Sequence, residues 1–82
     1  MKLTVRFFAL YRDQTGVSTI VLNLPKTTTV RKLLRILKNQ YPSLAPSVVD
    51  IMVAVNAEYS GEDTVLSEGD EVALIPPVSG GT

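Results

Sequence analysis

Hydrophobic and polar residues alternate along residues 2–11 with the period of a β-strand, in which successive side chains point to opposite faces. We therefore predict a strand from Lys2 to Tyr11. One face would join the core and carries Leu3, Val5, Phe7 and Ala9. The opposite face would meet solvent and carries Lys2, Thr4, Arg6 and Phe8.

The following segment predicts a turn and a second strand. Residues 12–16 are polar and end in Gly16, which indicates a turn. Residues 17–24 are rich in β-branched side chains and predict a strand, which Pro25 would end. Because the connection is short, we expect the two strands to pair as an antiparallel hairpin.

The pattern changes to helical spacing after Pro25. A helix is predicted from Val30 to Tyr41, with Thr27, Thr28 and Thr29 as candidate N-caps. Its apolar stripe would consist of Val30, Leu33, Leu34, Leu37 and Tyr41. The basic residues of this segment occupy other faces, which we interpret as solvated surface. Pro42 would end the helix, and residues 42–47 are predicted to form a loop.

The second half of the chain predicts two more strands. Residues 51–55 form a continuous apolar run, which is typical of a strand covered by a helix, and residues 56–61 predict a turn. A tight polar turn at residues 67–70 precedes a last strand at 71–75. This order predicts an α+β protein of the β-grasp (ubiquitin-like) type, with one main helix packed on one face of a mixed sheet. By analogy with that fold, the last strand would lie beside the first in the middle of the sheet.

Two strands of this arrangement would place apolar side chains on the solvent-facing side of the sheet. Val72 and Leu74 fit the core, so Ile75 would share the open face with Phe8. Tyr59 lies in the predicted turn and would extend the same patch. A contiguous apolar patch on an open sheet face indicates a docking surface.

Composition limits what chemistry this chain can perform. Its 82 residues make a single domain, which contains no Cys and no His and therefore no thiol nucleophile or imidazole base. The acidic residues show no metal-ligand spacing, and no phosphate-binding glycine loop is present. Catalysis by the side chains of this chain alone is therefore not expected, and we interpret the chain as a non-catalytic protein without a bound cofactor or metal.

Charge and hydropathy bear on partners and location. Eight basic and eight acidic residues cancel, which argues against nucleic acid or an anionic membrane as the main partner. No apolar run approaches the length of a membrane span, and the N-terminal residues lack the apolar centre of a signal peptide. A cytoplasmic protein is expected.

The last residues predict an arm that leaves the fold. Pro76 and Pro77 lack the N–H group that would extend a sheet ladder, and Gly80 and Gly81 have no Cβ. A chain of this kind can enter a narrow channel in a partner. We therefore divide the protein into a β-grasp domain at residues 1–76 and a flexible Gly-Gly tail at residues 77–82.

Three segments resemble the small subunit of molybdopterin synthase, a family of sulfur carriers of the MoaD type. They are Val-Arg-Phe-Phe-Ala at residues 5–9, Val-Asn-Ala-Glu-Tyr at 55–59, and residues 67–81. The most specific part is Gly-Asp-Glu-Val-Ala at 69–73 followed by Pro-Pro-Val-Ser-Gly-Gly at 76–81. Thiamine-pathway carriers of the ThiS type and cysteine-pathway carriers share the fold and the Gly-Gly end. The Pro-Pro-Val-Ser-Gly-Gly sequence favours the molybdopterin branch of the family.

The resemblance implies a mechanism centred on the tail. An ATP-dependent, E1-like activating enzyme would adenylate the carboxylate of Gly81, and sulfur would then replace AMP to give a thiocarboxylate. The tail would enter the large, catalytic synthase subunit and donate sulfur to cyclic pyranopterin monophosphate. Gly80 would let the tip reach the reacting group. The resemblance implies partner contacts by Phe8, Tyr59, Ile75, Pro76, Pro77, Val78 and Ser79.

Thr82 departs from the family pattern, in which the glycine pair is terminal. With Thr82 attached, the Gly81 carbonyl is held in a peptide bond and cannot be adenylated. Proteolytic trimming, a residue added for expression, or an inactive paralogue would each explain Thr82, and the otherwise intact tail favours the first two.

The sequence is also compatible with other functions. The chain could carry sulfur for thiamine or cysteine synthesis. It could instead be a ubiquitin-like modifier or an interaction domain, with Gly81 joined to lysines or not activated. A stand-alone enzyme is disfavoured by the missing nucleophiles and bases.

Overall fold

The computed structural model of the protein describes residues 1–44 and 51–76. Within them the helices are α1 (Ala9–Thr15) and α2 (Val30–Gln40). The strands are β1 (Lys2–Phe7), β2 (Thr19–Asn23), β3 (Met52–Val55), β4 (Glu58–Tyr59) and β5 (Glu71–Ile75).

The strands form one mixed sheet in the order β2-β1-β5-β3-β4. β1 pairs antiparallel with β2 and parallel with β5, so the first and last strands lie side by side at the centre. β3 pairs antiparallel with both β5 and β4. The expected central pairing of first and last strands is confirmed, and the α+β, β-grasp class is confirmed with it.

The core lies between the sheet and α2. Four residues of the predicted helical stripe are buried there, namely Val30, Leu33, Leu34 and Leu37, while Tyr41 is half-buried just after the helix. They meet the buried alternate residues of the central strands, Leu3, Val5, Phe7, Val72 and Leu74. The alternation predicted for these strands is therefore confirmed.

The first turn of α2 is fixed by both its cap and a neighbouring segment. Thr29 is the N-cap, and its hydroxyl oxygen accepts a hydrogen bond from the Lys32 backbone N–H (3.2 Å). The backbone N–H groups of Val30 and Arg31 donate to the carbonyl oxygens of Thr64 and Glu62 (3.0 and 2.9 Å). These partners satisfy N–H groups that a helix start would otherwise leave unpaired.

The predicted strand over residues 2–11 is wrong beyond Phe7. Ala9 has a positive φ of 46°, which is incompatible with extended backbone, and α1 begins at this residue. Ala9 is exposed and not in the core, and the predicted turn at residues 12–16 is mostly helix. β1 and β2 do pair antiparallel, but α1 connects them in place of a short hairpin turn. Gly16 is the left-handed C-cap of this helix (φ 78°).

The predicted turn at residues 56–61 contains a two-residue turn and a short strand. Asn56 and Ala57 both have positive φ (51° and 71°), as a type I′ hairpin turn requires. Val55 and Glu58 pair directly across it, and β4 follows.

Two other predictions fall wholly or partly outside the described residues. The predicted loop at 42–47 is described only as far as Leu44, and the predicted tail at 77–82 not at all. Within the described ranges, no helix is long and apolar enough to cross a membrane.

Candidate functional site

One face of the sheet packs on α2, and the opposite face carries the other alternate residues of each strand. The strand register places them in rows that run across the sheet. One row contains Thr19, Arg6, Ala73, Ala54 and Tyr59, in that order. We call this face of the sheet, opposite α2, the open face.

Phe8 lies at the end of the open face where β5 ends. Its backbone is still extended (φ −113°, ψ 151°), and its N–H donates to the Leu74 carbonyl oxygen (3.3 Å). The Phe8 side chain is 38% exposed. The Arg6 guanidinium carbon lies 5.3 Å from the centre of the Phe8 ring, which places both side chains on the same side.

Ile75 and Met52 continue the apolar surface beside Phe8. They are directly paired across β5 and β3. Ile75 is half-buried, whereas Met52 is exposed. Tyr59 on β4 is 69% exposed and lies opposite Ala54. The predicted side chains Phe8, Ile75 and Tyr59 therefore share one face, on which Met52 lies beside Ile75.

The position of β5 depends on a hydrogen-bonded network at its start. The Asp70 carboxylate accepts from the Asn56 side-chain amide (2.9 Å) and from the Ser67 backbone N–H (2.7 Å). Asn56 Oδ1 accepts from the Glu71 backbone N–H (3.0 Å), and the Asn56 N–H donates to the Glu71 carbonyl oxygen (2.8 Å). This network fixes the β3–β4 turn to the first residue of β5.

β5 then leads directly to the segment that the sequence singled out. Pro76 follows Ile75 and is half-buried. Pro77, Val78, Ser79, Gly80 and Gly81 lie outside the described residues, so their predicted roles stay predictions. The structure brings Phe8, Ile75 and Pro76 to the end of the sheet from which this segment continues.

Two members of the open face were missed by the sequence reasoning. Met52 and Ala54 lie within the apolar run that we interpreted as a strand covered on one side by the helix, without assigning its residues to the two faces. Met52 is exposed, whereas Ala54 is buried. The alternation in Met-Val-Ala-Val was available as a signal, because Met52 and Ala54 share a face that Val53 does not. Arg6 was assigned to the correct face, but its contact with the Phe8 ring was not predicted.

The described residues offer little else for chemistry. Among residues 1–44 and 51–76 there is no group of acidic side chains that could hold a metal ion. A cavity of about 300 Å³ is lined by Met1, Lys26, Leu66, Ser67 and Glu68. It lies where β1 and β5 begin, at the opposite end of the sheet from Pro76, and so it is separate from the open-face patch.

The fold and the patch together define a β-grasp protein with apolar side chains on the open face of its sheet, beside its last strand. The chain belongs to the ThiS family, whose model matches residues 5–81. The match ends at Gly81, so Thr82 lies beyond it.

Relatives with described roles fall into two groups. A molybdopterin synthase sulfur carrier subunit from Arabidopsis thaliana is 36% identical over 99% of this chain and 84% of the relative. Small archaeal modifier protein 3 from Haloferax volcanii is 33% identical over 99% of this chain and 100% of the relative.

Solved structures extend the likeness to three dimensions. The HVO 2177 protein of Haloferax volcanii matches with a TM-score of 0.87 and 33% identity, over 99% of this chain and 87% of the other. A complex of subunits 1 and 2 of the molybdopterin-converting factor from Helicobacter pylori contains a chain that matches with a TM-score of 0.69 and 26% identity, over 99% of this chain and 100% of the other.

Proposed function

We propose that this protein is the sulfur-carrier small subunit of a molybdopterin synthase. The observation that carries the proposal is full-length similarity, at more than a third identity, to a relative named as that subunit. The Pro-Pro-Val-Ser-Gly-Gly sequence at residues 76–81 supports it, and so does the apolar patch where β5 ends. In this role the chain is not an enzyme by itself and binds no cofactor.

The proposed chemistry takes place at the carboxylate of Gly81. In the activating enzyme, a carboxylate oxygen would attack the α-phosphate of ATP and release pyrophosphate. A sulfur donor would then displace AMP from the acyl-adenylate and leave a thiocarboxylate. This route needs no nucleophile or base from the carrier, which suits a chain with no Cys and no His.

The fold would hold the tail at a defined starting point. β5 is paired on both sides, by β1 and by β3, so Ile75 and Pro76 have a fixed position relative to the open face. Residues 77–81 could reach at most about 18 Å beyond Pro76 when fully extended. Docking of Phe8, Ile75 and Tyr59 on the large subunit would therefore determine which pocket the tip can enter.

Activation by ATP tests the assignment of Gly81. A chain ending at Gly81 should support ATP–pyrophosphate exchange by its cognate E1-like activating enzyme, because it presents a free carboxylate. The chain ending at Thr82 should not, since its Gly81 carbonyl is an amide. Equal exchange by both forms would show that Gly81 is not the reacting end.

A ubiquitin-like modifier is the second candidate, and the similarity to a small archaeal modifier protein favours it. A modifier would use the same activated Gly81 to acylate lysine amines. Mass spectrometry of tryptic digests from the native host separates the two roles, because a modifier leaves branched peptides on target lysines. Thiamine or cysteine synthesis would be indicated if the carrier failed to bind a large molybdopterin synthase subunit.

A further inference from the structure

The two edge strands of the sheet differ in how readily they could pair with another strand. β4 has only two residues and carries Glu58, and short or charged edges resist further pairing. β2 has five residues, and the segment 17–24 around it contains no charged residue, proline or glycine. Among residues 1–44 and 51–76, β2 pairs with β1 alone. Its outer edge therefore keeps the properties of a strand that can accept a partner strand.

Alternate residues of β2 direct their backbone N–H and C=O groups to this outer edge. In an antiparallel pair, residues that bond to the neighbouring strand alternate with residues whose backbone groups point away from it. The Phe7 N–H donates to the Ser18 carbonyl oxygen, and the Leu24 N–H donates to the Met1 carbonyl oxygen (2.9 and 2.8 Å). These contacts and the strand register identify the even-numbered residues of β2 as those bonded to β1. The outward groups belong to Thr19, Val21 and Asn23.

The sequence of β2 is complementary to itself when two copies run antiparallel. If Val21 lies opposite Val21 of a second copy, then Ile20 lies opposite Leu22, and Thr19 lies opposite Asn23. Val21 is 53% exposed, so its side chain is available for this contact. Each position then pairs apolar with apolar or polar with polar, and no like charges meet. Cross-strand pairs of these kinds stabilise an antiparallel ladder.

We propose that two copies of this chain associate through β2, about a two-fold axis beside Val21, and form one continuous ten-stranded sheet. The three facing pairs of outward residues would each exchange two backbone hydrogen bonds. An isologous contact of this kind closes after two copies. It is smaller than the interface of an obligate dimer, so the dimer forms as concentration rises. The partner is a second copy, and the proposal does not rest on the proposed function.

This dimer would keep the two candidate functional sites apart. Because the two β2 strands run in opposite directions, the β5 strands of the two copies would reach Pro76 at opposite ends of the sheet. The β5 strands would be five strand spacings apart, or about 24 Å. Each copy could therefore still present Phe8 and Ile75 to its own partner.

Disulfide cross-linking tests the register of this pairing. The chain contains no Cys, so Val21→Cys introduces a single thiol. The two Cα atoms at this position would be about 5.5 Å apart, which a disulfide can span. Val65→Cys is the matched control, because Val65 is 56% exposed and lies outside the strands. Mild oxidation should form covalent dimers of Val21→Cys at least about tenfold faster than those of the control. Equal rates would overturn the proposed register.

Sedimentation equilibrium of the full chain tests whether β2 is the contact. Val21→Lys would place two like charges opposite each other, and it should raise the Kd of the dimer at least about tenfold. Val65→Lys should leave this Kd unchanged. Urea unfolding of both variants identifies any loss that comes from the fold. A chain that stays monomeric at every concentration, or a Val21→Lys variant that dimerises like the wild type, would overturn the proposal.

Amide hydrogen exchange distinguishes strand pairing from any other contact between copies. In the dimer, the N–H groups of Thr19, Val21 and Asn23 should exchange at least about tenfold more slowly than in the monomer. Those of Ile20 and Leu22 already bond to β1 and should change less. Uniform slowing along β2 would contradict an alternating ladder. Protection of the outward groups by the large synthase subunit, in a carrier that stays monomeric, would assign this edge to that subunit and overturn the proposal.

Discussion

Phe7 and Phe8 are adjacent in the sequence and lie on opposite sides of the sheet. Phe7 is 2% exposed and meets Tyr41 edge to face, with ring centres 5.7 Å apart. Phe8 is 38% exposed and lies beside Arg6 on the open face. One aromatic residue therefore belongs to the core and its neighbour to the proposed docking surface.

Truncation of each residue should separate stability from binding. Phe7→Ala should lower the free energy of unfolding by about 3–5 kcal/mol, because it leaves a cavity between the sheet and the end of α2. Phe8→Ala should change that free energy by no more than about 1 kcal/mol. It should nevertheless weaken binding to the large subunit by about thirtyfold, as expected for a buried aromatic anchor.

Urea unfolding and calorimetric titration of the same two variants check both expectations. Ile75→Ala is a second probe of the docking surface and should resemble Phe8→Ala in binding. An unfolded Phe8→Ala protein beside a stable Phe7→Ala protein would contradict the strand register, since a shift by one residue exchanges the two faces.

At the level of secondary structure, the β3–β4 turn holds a residue in an unfavourable conformation. Ala57 has φ 71°, and a left-handed conformation costs a residue with a Cβ roughly 1–2 kcal/mol. Asn-Gly is the preferred pair for a two-residue hairpin turn of this type. Ala57→Gly should therefore raise the free energy of unfolding by about 0.5–1 kcal/mol. This net gain is smaller than the relieved strain because glycine has more conformational entropy to lose when the chain folds.

Thermal unfolding followed by circular dichroism measures this gain. Ala54→Gly is the matched control, because Ala54 lies in β3 outside the positive-φ positions, and glycine should destabilise a strand there. Destabilisation by Ala57→Gly would show that the turn does not require a positive φ at this residue.

A second prediction at this level concerns the contribution of the Asp70 network at the start of β5 to stability. Asp70→Ala removes the acceptor for both the Asn56 amide and the Ser67 N–H, and it should cost about 1–3 kcal/mol of stability. Asp63→Ala removes only a solvated partner of Arg31. Asp63 Oδ1 lies 3.1 Å from Arg31 Nη2, and the Asp63 side chain is 88% exposed. It should cost less than about 1 kcal/mol. Equal losses in urea unfolding would refute a special role for the Asp70 network.

The sequence predicts α2 and the central strands because the spacing of apolar residues in those segments fits only a helix or only a strand. In residues 8–15 the apolar positions fit both a strand and a helix, and the predicted strand is therefore wrong there. Tyr11 follows Phe7 with strand spacing, yet it is buried equally well from α1. A helix of only seven residues has too few turns for its apolar residues to repeat with helical spacing. The one sequence signal for α1 was Gly16, which is typical of a helix C-cap.

At the scale of the whole molecule, the strand order explains how distant residues form one surface. Phe8, Tyr59 and Ile75 come from three parts of the sequence and share one face because β5 inserts between β1 and β3. Alternation alone predicts which face each residue occupies. It cannot predict that Ala54 and Ala73 are directly opposite, because register depends on long-range pairing and on the Asn56–Asp70 network.

The same strand order sets where the tail begins in the proposed function. β5 brings the chain to Pro76 beside the proposed docking surface, and the remaining segment contains the Gly81 carboxylate that would be activated. Binding and chemistry would thus be divided between the open face and the tail. A carrier with a weakened open face should still be a substrate for adenylation if the activating enzyme is supplied at saturating concentration.

The most direct test of the sulfur-carrier function is the intact mass of the protein purified from its native host. A sulfur carrier should be recovered as a species that ends at Gly81 and is heavier than the free acid by the difference in mass between sulfur and oxygen. That mass excess should disappear after incubation with the large subunit and cyclic pyranopterin monophosphate, as molybdopterin forms. Protein that ends at Thr82 without modification, or that is found only in amide linkage to lysines, would contradict the sulfur-carrier function.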